Sequence, residues 1–287
     1  MKRRFMVSAA LALLMVAASG RPASAQQRPL TTQDPETIGG GRVLVEGGLD
    51  YSLDNFFPAS GLTGTLLRVP LVGVSVGLSS IAEIQLSGGL YNRLSITGRQ
   101  PAPLSYLLDV TGNTTDDVED LVLATKIRVA SETGTRPSFG LRVATRLPNA
   151  GNESGLGLGT TDFFVSALVA KTFHSTRLVG NFGLGILGDP TRGDRQNDVL
   201  AYGVSIARAI TDAIEVVGEV NGRANIRDWT MEPPAGTENR GMLRGGVRYS
   251  LGAGRFDAAV LFGLTPRDPS IGFAVGYTYV FNAFKIP

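Results

Sequence analysis

From about residue 42 to residue 282 the chain repeatedly alternates apolar with small or polar residues at a period of two. A β-strand satisfies this pattern and a helix does not. The last segment shows it best. Ile271, Phe273, Val275, Tyr277, Tyr279 and Phe281 fall on one side, and Gly272, Ala274, Gly276 and Thr278 on the other. Leu121, Leu123, Thr125, Ile127 and Val129 oppose Val122, Ala124, Lys126, Arg128 and Ala130 in the same way. Applied throughout, the pattern predicts about twelve strands near residues 42–52, 64–77, 83–97, 120–131, 137–148, 161–172, 177–188, 199–209, 213–225, 241–251, 255–264 and 270–282. The second strand carries apolar residues on both faces and is interrupted by Pro70.

The connections between these strands alternate in length. Those near 78–82, 132–136, 173–176, 210–212 and 252–254 are short, whereas those near 53–63, 98–119, 149–160, 189–198 and 226–240 are long, with 265–269 a shorter sixth. An antiparallel up-and-down barrel places all connections of one kind at one end, and outer-membrane barrels have short periplasmic turns and longer external loops. The expected fold is therefore all-β: a transmembrane antiparallel up-and-down β-barrel of about 12 strands. A secreted soluble β-sandwich is the alternative. Lipid is favoured as the outer surroundings because the apolar face is almost free of charge. Its exceptions, Lys171 and Arg208, lie near short turns where a long side chain reaches the interface. Tyr51, Phe163, Tyr202, Tyr249, Phe256, Tyr277, Tyr279 and Phe281 sit near strand ends, as interfacial aromatics do.

The formal charge of +2 invites a search for an anionic partner. Yet Lys2, Arg3 and Arg4 precede an apolar run from Phe5 to Ala18, and Ala23-Ser24-Ala25 supplies a small-residue cleavage site. Removing residues 1–25 as a signal peptide takes away four cations and no acid. That leaves 23 positive against 25 negative charges, so a nucleic-acid partner loses its support. Residues 26–40 are expected to form a flexible N-terminal segment whose polar, unpatterned composition suits a plug at the periplasmic mouth. Residues 41–287 are expected to form the barrel, located in the cell outer membrane.

The chain has no Cys and one His, which excludes thiol chemistry and a multi-His metal site within one chain. Gly73-Val74-Ser75-Val76-Gly77 spells a nucleophile elbow, but no helix follows to create the sharp turn that the elbow needs. Gly183-Leu184-Gly185-Ile186-Leu187-Gly188 spells a dinucleotide loop, but a turn follows instead of a helix N-terminus. His174 and Ser175 fall in a predicted short turn, and adjacent strand residues would point to opposite faces. The cluster Asp116, Asp117, Glu119 and Asp120 lacks the spacing of a calcium loop and reads as a solvated rim. The chain is therefore expected not to be an enzyme and to need no cofactor or metal.

The constellation that carries more information is spread over the predicted inner face. It comprises Arg42, Glu46, Asp50, Glu83, Arg93, Lys126, Arg128, Arg142, Arg146, Glu215, Glu219, Arg223, Arg244, Arg248, Arg255 and Asp257. An Arg or Lys facing lipid at the bilayer midplane costs about 2 to 4 kcal/mol, so the lumen is where these groups belong. Two consequences stand side by side. The charges pair across the barrel and fill it, or Arg128, Arg142, Arg146, Arg244 and Arg248 leave a positive strip that selects solutes.

From about residue 116 to residue 281 the sequence resembles outer-membrane β-barrel proteins of the MetA-pathway phenol-degradation family, which are regarded as transporters. The matching pieces are Asp117-Val118-Glu119-Asp120-Leu121 with Lys126, Leu147-Pro148-Asn149, Gly155-Leu156-Gly157-Leu158-Gly159-Thr160-Thr161-Asp162, Leu187-Gly188-Asp189, Gly218-Glu219-Val220-Asn221-Gly222 and Gly263-Leu264-Thr265. The resemblance implies an outer-membrane location and solute passage. The expected function is passive passage of small solutes, aromatic or anionic ones among them. A closed structural or adhesive barrel working through its external loops is the alternative. Expected partners are outer-membrane lipid, the barrel-assembly machinery and the solute.

Overall fold

The computed structural model describes residues 27–193, 195–226 and 234–285. The expected signal peptide and much of the 226–240 connection lie outside these residues. The strands are β1 Arg42–Phe57, β2 Leu62–Gly77, β3 Ala82–Gly89, β4 Asn92–Arg99, β5 Thr114–Asp117, β6 Val122–Ala130, β7 Ser138–Arg146, β8 Asp162–Phe173, β9 Thr176–Gly188, β10 Gln196–Ala209, β11 Ile214–Asn225, β12 Arg240–Leu251, β13 Gly254–Gly263 and β14 Ile271–Asn282. All pairings are antiparallel. Twelve strands, all but β4 and β5, form a closed ring in which β1 pairs with both β2 and β14. Closure leaves no sheet edge around the ring, which is the condition for strands to cross a bilayer.

Burial is inverted relative to a soluble protein. Large apolar side chains of alternate positions are exposed, among them Phe182 at 60% and Val204 at 63%, whereas Lys126 and Glu83 on the other face are 0% and 1% exposed. A sandwich would bury the first set; a barrel in lipid presents it. Phe256, Tyr277, Tyr279 and Phe281 form a run of ring contacts at the end of the barrel that carries the short turns. Tyr51, Phe163, Phe262 and Phe273 stand exposed toward the opposite end. Lys171 reaches into the turn beyond β6, where its Nζ donates to the carbonyls of Thr133 (2.6 Å) and Gly134 (3.0 Å), as its place near a turn predicts.

The ladder departs from simple alternation in one region. The pairing of β1 with β2 shifts register between Gly48 and Asp50, opposite Val69 and Pro70. At the same level the predicted 83–97 strand breaks at Leu90 and Tyr91 into β3 and β4, and both halves pair with β2. Each extra residue exchanges the two faces of its strand. Below the break Gly73 and Ser75 share the inward face with Glu83 and Gln85, while above it Leu66, Arg68, Asn92 and Leu94 do. This accounts for the apolar residues on both faces of the second predicted strand. It also corrects Arg93, which lies on the exposed face of β4 with Leu94 buried on the other.

The 53–63 connection is shorter than expected. β1 runs on to Phe57 past an irregularity at Asp54, whose φ is 56°, so only residues 58–61 separate it from β2. The remaining long connections stay on that end. His174 adopts a φ of 55° in the two-residue turn between β8 and β9, and both glycine motifs lie within strands, the first in β2 and the second at the end of β9.

Candidate translocation path

The lower half of the lumen is crossed by residues 27–40, a strap that enters beside β1. Its path is set by hydrogen bonds and ion pairs to seven strands. Ile38 donates its N–H to Glu83 (2.7 Å), and Glu36 pairs with Arg128. Asp34 receives both an Nε–H and an Nη–H from Arg177, and Gln33 exchanges hydrogen bonds with Asn181 at 2.6 and 2.7 Å. Glu219 accepts from the Thr31 N–H (2.8 Å), the Thr31 hydroxyl (2.7 Å) and the Thr32 N–H (2.6 Å). Arg248 donates to the carbonyls of Gln27 (2.6 Å) and Arg28 (2.7 Å), while Arg28 donates to the Val275 carbonyl and lies 3.5 Å from Asp257. Small residues on the wall make room for it. A Cβ at Gly48 or Gly276 would collide with the Arg28 guanidinium, and one at Gly203 with the Thr32 hydroxyl.

Most of the charged residues expected on the inner face are therefore engaged. Glu83 also forms a fully buried ion pair with Lys126 at 3.0 Å, and Arg142 donates to Gln85. Arg248 and Arg255 share Glu215 at 2.8 and 3.9 Å. Arg146 pairs with Asp162 and Asp120, Arg223 donates to the Glu238 carbonyl, and Glu46 accepts from the Thr278 hydroxyl. Arg42 lies at the strap's exit, next to Gly39. A charge taken out of water is tolerable only when matched in this way, because an unpaired buried ion costs several kcal/mol.

Above the strap the described residues line an outer space and an inner one. The outer one, about 450 Å³, lies beneath the 147–161 connection, and the inner one, about 270 Å³, borders Arg28 to Thr31 of the strap. Asp50, Arg68, Glu119, Asp120, Val122 and Arg244 line both and so form the waist between them. Arg68 bridges Asp50 (2.6 Å) and Glu119 (3.0 Å) across it. Leu62, Leu66 and Leu94 pack with Leu156 into an apolar cluster at one side of the outer chamber.

The acidic cluster at 116–120 works here as an anchor for the chamber's roof. Asp117 accepts the Gly151 N–H at 2.8 Å and Asp120 the Ala150 N–H at 2.9 Å. Among the described residues no group of three His, Cys, Asp or Glu is placed to hold a metal. Arg68 is absent from the expected inner-face set because the bulge at Val69 and Pro70 reverses its face. Arg177 is absent too, although it shares its parity with Asn181 along β9.

Solved structures supply the comparison. An outer-membrane channel from Pseudomonas putida F1 superposes with a TM-score of 0.61 at 14% identity, covering 88% of this chain and 100% of that one. The chain shares the fold of an outer-membrane channel. The NanC porin (TM-score 0.48, 10% identity, 85% of this chain and 100% of that one) resembles it less closely. So does the translocator domain of the autotransporter NalP from Neisseria meningitidis (0.46, 12%, 83% and 87%). No family model matches the chain, and no curated protein does.

Proposed function

We propose that this barrel is a passive outer-membrane channel for small solutes, aromatic or anionic ones among them, as the resemblance to the phenol-degradation family also implies. The observation that carries the reading is the closed ring with an apolar exterior and a charged interior, which still encloses two spaces in series around a polar waist. In such a path lumen charge and hydrogen bonding set selectivity, and no cofactor is needed. Residues 26–40, expected from sequence as a plug, serve in this reading as the element that closes the periplasmic half. The engaged inner-face charges hold that plug and shape the path around it.

Liposome swelling with the purified chain tests the reading. Small sugars, aromatic alcohols and aromatic carboxylates are expected to swell vesicles faster than protein-free controls. No swelling with any of them would overturn it. The dense contacts of the strap favour one second reading, a closed structural barrel. Planar bilayers separate the two, since a filled lumen gives no conductance steps.

A further inference from the structure

The lumen arginines are unequally satisfied. Arg68 and Arg248 each donate to a carboxylate at 3.0 Å or less, and Arg146 donates to Asp162. Arg244, unlike these three, makes no hydrogen bond to any described residue; its Nε is buried without a partner, as those of Arg68 and Arg146 also are. Its one ion pair is long, with Glu219 3.7 Å from Nη1, and the two oxygens of Glu219 already accept three hydrogen bonds from the strap. A guanidinium presents a planar fork of donors that matches a carboxylate, and leaving that fork without a hydrogen bond in a partly dry site is costly. Arg244 also lines both spaces, so any solute passing the waist meets it.

The chamber above has two characters. Leu66, Leu156, Leu158, Met242 and Leu261 give it apolar surface, while five arginines against four carboxylates leave its lining with a positive excess. Its volume of about 450 Å³ lies in the range that holds a small molecule.

We propose, on the basis of the channel reading, that the Arg244 guanidinium at the waist is a binding site for the carboxylate of an apolar monocarboxylic acid whose ring or chain occupies the chamber above. Asp50 and Glu119 flank the waist, both tied to Arg68, so a second anionic group on the solute would meet like charge there. The site takes one negative charge on an apolar body. A neutral solute of the same shape leaves the fork unpaired.

Benzoate, its neutral isostere benzamide and the ortho dianion phthalate are the probes. Their binding to the detergent-solubilised full chain is read by calorimetry, and their flux in proteoliposomes. Benzoate is expected to bind about tenfold more tightly than benzamide, the scale of a charge-assisted bidentate contact, and phthalate, whose ortho carboxylate stays at the waist beside Asp50 and Glu119, more weakly than benzoate. R244Q should bring the benzoate-to-benzamide ratio close to one, and R244K should leave an intermediate ratio, because the charge stays and the fork is lost. Heat-modifiable migration on gels verifies folding of both variants; if R244Q does not fold, the ratio for R244K decides. A ratio unchanged by substitution overturns the proposal. Binding that depends on Arg244 without flux of any probe overturns the channel reading and leaves the site standing. Flux with no dependence on Arg244 does the reverse.

Discussion

At the scale of single residues the lumen is a set of matched charges, and the most demanding match is Lys126 with Glu83, both almost fully removed from solvent. Glu83 additionally accepts the Ile38 N–H and a Gln85 amide hydrogen, so its charge is shared by the Lys126 ammonium and two hydrogen-bond donors. Lys126→Met removes the counter-ion and leaves a buried carboxylate. Breaking one side of such a pair costs about 3 to 5 kcal/mol, and adding Glu83→Gln should recover part of it. Urea unfolding of the barrel in lipid vesicles measures both variants, and equal stabilities for the two would refute the coupling. These two residues stand at matching positions in sequence alternation, which is why both could be assigned inward without a structure. Arg93 could not, because one extra residue in its strand exchanged its face.

At the scale of elements, the turn between β6 and β7 is fastened to its neighbours by Glu132. Its carboxylate accepts the Thr172 N–H (2.8 Å) and hydroxyl (3.1 Å) and pairs with Arg177 at 3.0 Å. Partial desolvation pushes the Glu132 carboxyl upward, but the Thr172 hydrogen bonds and Arg177 outweigh it and hold the group below the ordinary carboxylate range. A depressed folded-state pKa stabilises the fold above the unfolded value and stops doing so as pH falls through the folded value. The stability gap between the wild type and Glu132→Gln should therefore be present near about pH 6 and shrink below about pH 4. Thermal melts at the two pH values check this, and a gap that widens in acid would contradict it. The same turn receives Lys171, whose place near a short turn was legible from alternation, whereas Glu132 was not singled out. The contact of Arg177 with both Glu132 and Asp34 was not legible, because Asp34 belongs to a segment without strand pattern.

For the whole molecule the ring and the strap are separable: the ring closes through its own ladder from β1 to β14, and the strap touches the wall only through side chains and backbone polar groups. Deleting residues 27–38 should leave a folded barrel and raise single-channel conductance at least about twofold, since a wider aqueous lumen conducts more. Unchanged conductance in planar bilayers would show that the strap does not limit the path. By itself the sequence determined the period-two faces, the strand number and the end on which the long loops lie. Those properties follow from the local geometry of a strand and from where turn residues fall. Only the tertiary structure decided the reversal of faces above Pro70 and Leu90. Only it showed the course of residues 27–40 across the lumen and the place of Arg244 at the waist without a hydrogen bond to any described residue. Each depends on which residues closure brings together from strands far apart in the chain, and alternation along one strand says nothing about what lies across the barrel from it.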